Sequence, residues 1–144
     1  MTSFQEGRTV TFSKTISEND IHQFAELSGD FSPNHVDEEF MRNSVYGKRI
    51  AHGALLVGYM SKASSLILEK YPNADQDSIA VSLGYDRIRF IKPVFIDDII
   101  TITYTVDEYD SQSIRAKSTI EIVNQKNELV AIATHILTWV PNSE

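Results

Sequence analysis

The residues that could do chemistry here are a carboxylate and an imidazole, Asp30 and His35, in Ser28-Gly29-Asp30-Phe31-Ser32-Pro33-Asn34-His35. Gly29 lets the backbone turn where a Cβ would clash. Pro33 fixes its own φ and pushes Ser32 out of the helical region. The sequence therefore predicts a stiff, non-helical loop that holds both groups toward one shared point, with room for one water between them. Such a pair suits proton transfer near neutral pH, because imidazole titrates there and a partly buried carboxylate is expected to drift upward toward it.

The elements around this loop follow from periodicity and capping. Thr9 to Lys14 reads as a strand with Val10 and Phe12 on one face. Ser17 reads as the N-cap of a helix with an acidic first turn. Ile21, Phe24, Ala25 and Leu27 recur at helical spacing until Gly29 ends the run. His22 falls on the solvated side of that helix. Asp37 can cap a short helix over Glu38 to Arg42, and Gly47 opens a loop leading to Gly53. From Gly53 to about Lys70 runs a long helix with apolar residues around nearly its whole circumference, which belongs inside a protein rather than on its surface. Its first residue, Gly53, would offer backbone N–H groups without intrahelical partners at a positive dipole end, and a ligand could approach that backbone closely.

From Ser78 the period changes to two. Ile100, Ile102, Tyr104 and Val106 alternate with threonines, and Ala116, Ser118, Ile120 and Ile122 alternate with charged or hydroxylated residues, as in half-buried antiparallel strands. Leu129 to Val140 is apolar on both faces and reads as a central strand, in which His135 is a satisfied interior or interface histidine. In the strand from Ile79 the apolar phase slips beside Gly84, which predicts a bulge near Asp86 and Arg87. Asn124 to Asn127 reads as the hairpin before the last strand, and Tyr71 to Asp77 as the exposed link leaving the helix. The architecture expected is α+β, a single domain over 1–144 in which an antiparallel sheet wraps a long helix.

Bulk properties narrow the function classes. The chain has 144 residues, 42% of them hydrophobic and 23% charged, which suits one soluble globular domain. With no cysteine, thiolate nucleophiles, disulfides and cysteine-ligated zinc are excluded, and a cytoplasmic location is expected. The first ten residues have no apolar run of the kind a secretory signal needs, and the stretch from Leu55 to Leu68 is too interrupted to span a bilayer. A net charge of −7 argues against nucleic acid as a partner.

The Gly29-to-His35 stretch resembles the short motif of MaoC-like (R)-specific enoyl-CoA hydratases, Gly-Asp-x-Asn-Pro-Leu/Ile-His. Gly29, Asp30, Pro33 and His35 match it, while Ser32 stands where Asn is usual and Asn34 where an aliphatic residue is usual. The block Gly47-Lys48-Arg49-Ile50-Ala51-His52-Gly53-Ala54-Leu55-Leu56 is similar to the family's Ile-Ala/Val-His-Gly segment, and the resemblance runs from about Phe12 to Val140. It implies the hotdog fold and reversible hydration of a trans-2-enoyl-CoA to the (R)-3-hydroxyacyl-CoA, without metal or organic cofactor. Asp30 and His35 would act jointly as the catalytic dyad, with the Gly53 N–H as oxyanion donor. Ser61 matches a serine near the family's site; about 12 Å beyond Gly53 along the helix, it either supports the dyad or packs in the core. Ser32 and His52 are further supporting residues, His52 in an orienting or packing role. Lys48 and Arg49 flank the expected entrance and are candidate contacts for the CoA phosphates, with Arg87, Arg89 and Lys92 behind them. A homodimer is expected, since a single wrapped sheet leaves an edge and a face to cover.

Three other readings stay open. The His-x-Asp spacing of His35 and Asp37, with His52 or His135 as third ligand, is that of a non-haem iron triad. Asn34 is compatible with a protein that holds an acyl thioester without turning it over. Dehydration of 3-hydroxyacyl thioesters on an acyl carrier protein would need a basic docking surface, which the net charge disfavours.

Overall fold

A computed structural model describes residues 4–72 and 77–143, so the expected link from Tyr71 to Asp77 lies largely outside the described residues. Its elements, in chain order, are β1 (Thr9–Thr15), α1 (Glu18–Ser28), α2 (Pro33–Val36), α3 (Glu38–Arg42), α4 (Gly53–Lys70), β2 (Ser78–Phe90), β3 (Ile99–Asp110), β4 (Arg115–Val123) and β5 (Leu129–Pro141). The five strands form one antiparallel sheet in the order β1-β3-β4-β5-β2. β5 therefore has a neighbour on each side, the interior place in the sheet expected of it. This α+β arrangement of one sheet and one long helix matches the expected hotdog architecture.

Alternation decides which face of each strand meets the helix. Ile100, Ile102, Tyr104 and Val106 of β3 are buried, as are Ala116, Ile120 and Ile122 of β4. The threonines between them face outward and pair hydroxyl to hydroxyl with β1: Thr11 with Thr103 at 3.2 Å and Ser13 with Thr101 at 2.9 Å. From the other side Leu55, Leu56, Met60, Ala63 and Ile67 of α4 close the core. Burying each of the larger of these side chains contributes about 1.5–3 kcal/mol.

The helix is not sheathed all round. Ala54, Gly58, Ser61 and Ser65 form an exposed stripe along α4. These small residues fall between the large apolar ones at helical spacing, and five strands of one chain do not reach round to cover them. Among the described residues, no helix is long and apolar enough to cross a membrane.

β2 is an edge strand with two one-residue insertions relative to β5, between Ser82 and Gly84 and between Asp86 and Arg89. The second is the bulge expected near Asp86 and Arg87, and Arg87 takes a positive φ of 54° there. Each insertion reverses the facing of the strand. Ser82, then Tyr85, then Ile88 come to lie on the helix side, while Ile79, Val81 and Leu83 are exposed outside.

Candidate active site

Local capping brings Asp30 to the site. α1 starts with a reciprocal box between Ser17 and Asp20 and ends at Gly29, whose φ of 83° is the left-handed turn that favours glycine. Asp30 follows directly. Its Oδ1 accepts from the Ser32 N–H at 3.1 Å and the Ser32 hydroxyl at 2.6 Å. These bonds from Ser32 hold the Asp30 carboxyl below its ordinary range. The upward drift expected from the sequence is thus overturned: burial would have raised it, but the carboxylate is open to solvent and doubly solvated by Ser32.

His35 is delivered by a helix, not by the non-helical loop expected. Ser32 does sit outside the helical region, at φ −56° and ψ 139°, but Pro33 to Val36 form one helical turn. Proline suits the first helical position, where its missing N–H costs no hydrogen bond. His35 is buried, and its Nδ1 lies 2.8 Å from the Ile50 carbonyl oxygen. A carbonyl only accepts, so Nδ1 carries the proton and Nε2 of the neutral ring is left with a lone pair. That Nε2 stands 3.9 Å from Asp30 Oδ2. The gap exceeds a direct hydrogen bond but fits a water donating one proton to each acceptor.

His52 forms the floor. It is buried at 1% exposure, and its Nε2 donates to the Asp30 carbonyl oxygen at 3.0 Å. Its ring stacks under that of His35 at 3.9 Å between centroids, with the edge of Phe24 against its other side. Burial lowers its pKa, so the ring stays neutral. His52 thus holds the backbone of residue 30 and the plane of residue 35 together.

Gly53 begins α4, whose N-cap His52 makes no side-chain capping bond. Where a side chain on Gly53 would start, the neighbour is the ring of Phe90, which had no sequence signal. Ser61 lies on the exposed stripe of α4 beside the hydroxyl of Tyr85, about two helical turns past Gly53.

The basic residues are largely engaged. The Arg49 guanidinium reaches Glu18 at 2.7 Å and Glu38 at 3.4 Å, so it ties the starts of α1 and α3 together. Lys48 Nζ sits 4.5 Å over the Phe95 ring. Lys92 pairs with Glu128, and Arg89 bonds the Ile88 carbonyl. A cavity of about 590 Å³ opens beside Arg49, lined by Glu18, Asn19, Ile21, His22 and Val36; neither Asp30 nor His35 borders it, so it is not the dyad's own pocket.

The iron triad is not assembled. Asp37 Oδ1 accepts from the Phe40 N–H as the cap of α3. His135 is in the core, with Nδ1 2.7 Å from the Tyr104 hydroxyl and Nε2 2.7 Å from the Ser82 hydroxyl. Asp30, His35 and His52 do offer ligand atoms within 4.8 Å of one another. Imidazole lone pairs lie in the ring plane, however, and two rings stacked only 27° from parallel do not converge on one ion.

Residues 3–129 match the MaoC like domain family model, and the chain belongs to that family. It is 38% identical over 102 residues to an (R)-specific enoyl-CoA hydratase of Rhodospirillum rubrum, covering 71% of this chain and 65% of that protein. It is 32% identical over 111 residues to a 3-hydroxybutyryl-CoA dehydratase of Methylorubrum extorquens, covering 77% of this chain and 66% of that protein. These matches thus span just under two thirds of each relative's length. Among solved structures, the (R)-hydratase from A. caviae involved in PHA biosynthesis superposes with a TM-score of 0.80 at 26% identity, covering 93% of this chain and 96% of that one.

Proposed function

We propose that this chain catalyses the reversible, (R)-specific hydration of trans-2-enoyl-CoA to (R)-3-hydroxyacyl-CoA. The observation that carries the reading is the 3.9 Å gap between Asp30 Oδ2 and His35 Nε2, two acceptors facing one water-sized space. A water held there is polarised at both hydrogens. Its oxygen adds to C3 of the enoyl thioester while the dyad takes one of its protons, and a proton returns from the dyad to C2. One water is added and the dyad is regenerated. Negative charge gathers meanwhile on the thioester oxygen, where the free N–H groups at the start of α4 are the donors; losing one such donor typically costs ~3 kcal/mol. The names of the hydratase and dehydratase relatives support the same reaction class.

The working unit in this proposal is a homodimer. β2 is an unpaired edge carrying exposed Ile79, Val81 and Leu83, and the bare stripe of α4 is left uncovered by its own chain. A second copy would cover such apolar edge surface. The test of function is direct: purified protein with crotonyl-CoA, following loss of the enoyl absorbance and the chirality of the product. Formation of (R)-3-hydroxybutyryl-CoA is expected, and no turnover above the uncatalysed rate would overturn the reading.

A further inference from the structure

A methyl group on Gly53 would meet the Phe90 ring at 2.5 Å from Cε2, 2.6 Å from Cζ and 2.8 Å from Cδ2. Real Cβ contacts are not that short, so a side chain at residue 53 would force the ring to shift from this seat. The backbone beneath the ring is pinned on both sides. Phe90 pairs with Ala131 of β5, the Ile91 N–H bonds the Val130 carbonyl at 2.8 Å, and the Ala51 N–H bonds the Val94 carbonyl at 2.7 Å. The bulge at Asp86 to Arg89 sets the facing of Ile88 and Phe90, so the ring's place over α4 is built into the strand. Yet Phe90 keeps 54% of its surface exposed. The ring seats on Gly53, the first residue of α4, where no side chain caps the N–H groups. An apolar wall there lowers the local dielectric around those donors and limits the directions from which an oxygen can reach them.

We propose that Phe90 is a positioning residue for the thioester oxygen: its ring walls the start of α4, and Gly53 lacks a side chain in order to seat that ring rather than to admit the ligand. The wall rests on the hydratase reading above; the seating rests on packing alone. A double-mutant cycle of Gly53→Ala, Phe90→Ala and the pair together, read by thermal unfolding and by kcat and KM on crotonyl-CoA, separates the two. Gly53→Ala is expected to lower Tm, and adding Phe90→Ala to recover most of that loss, because the atoms the new methyl strikes are gone. Phe90→Ala alone is expected to lower kcat about tenfold with KM changed less than about twofold, and Phe90→Leu, which keeps an apolar wall, to recover most of kcat. Additive losses of Tm would overturn the seating. A change confined to KM, or a fall in kcat that only tracks the folded fraction, would overturn the wall. If the wild type does not turn over crotonyl-CoA, the hydratase reading and the wall fall together, while the Tm cycle still decides the seating.

Discussion

His35 and His135 are both buried, both stacked on a second ring and both bonded at Nδ1, but they are finished differently. His35 gives its Nδ1 proton to the Ile50 carbonyl and keeps Nε2 unbonded, facing a carboxylate across a water-sized gap. His135 spends both nitrogens on hydroxyls, Tyr104 and Ser82. Burial holds the His135 pKa down to about 4, so it is a neutral structural group through the physiological range. On the proposed function, what sets His35 apart from a packing histidine is the nitrogen its surroundings leave open.

Breaking the proposed dyad should give the largest effect. Asp30→Asn and His35→Ala are each expected to lower kcat by about 10²–10⁴, with Tm little changed for Asp30→Asn because its carboxylate is exposed. Comparable activity in either variant would remove the dyad from the mechanism.

The packing side should answer to pH through stability. The folded pKa of His135 lies below the ordinary histidine value near 6.5, so the unfolded chain binds a proton first as the solution is acidified. Stability is therefore intact above pH 6.5 and is lost as pH falls toward 4, by roughly 3 kcal/mol over that window. His52, whose pKa burial also lowers, adds loss of the same sign. His135→Gln should be less stable at pH 7 yet show a flatter decline between pH 6.5 and 4 in denaturant titrations. A slope equal to the wild type's would mean that His135 is not the group responsible.

The smallest effect sharpens the comparison. Ser32→Ala removes the hydroxyl donor that holds the Asp30 carboxyl low. The acid limb of the kcat/KM profile should then move to higher pH, with little change at its plateau. An unmoved limb would show that Asp30 does not set it.

Much of the scaffold was legible because its causes are local. Ser17, Gly29 and Asp37 cap where their chemistry says they should, α4 starts at Gly53 and ends at Lys70, and the slip after Gly84 was visible as a change of apolar phase. The earlier insertion, at Leu83, was not, since an apolar residue turned outward leaves no mark in composition. Pro33 points to a break in regular structure, yet proline at the first position opens a helical turn as readily as it ends one, and here it opens one. The apolar circumference of α4 predicts a helix wholly inside, and the small residues of its exposed stripe, neither strongly apolar nor strongly polar, carry no signal against that.

By itself the sequence determined the pair of groups, the glycine turn before them, the long helix that starts at Gly53 and the family the chain belongs to, since each of these depends on residues close in the chain or on motif spacing. Only the tertiary structure decided which nitrogen of His35 is open, because the carbonyl that claims the other belongs to Ile50, on a different segment. It decided the same way that Arg49 spans two acidic helix starts and that an aromatic ring from β2 lies on Gly53, and it decided that Asp30, left open to solvent under the donors of Ser32, ionises more easily, not less. Protonation and close contact depend on what stands within a few ångströms, and here those neighbours are supplied largely by other segments of the fold.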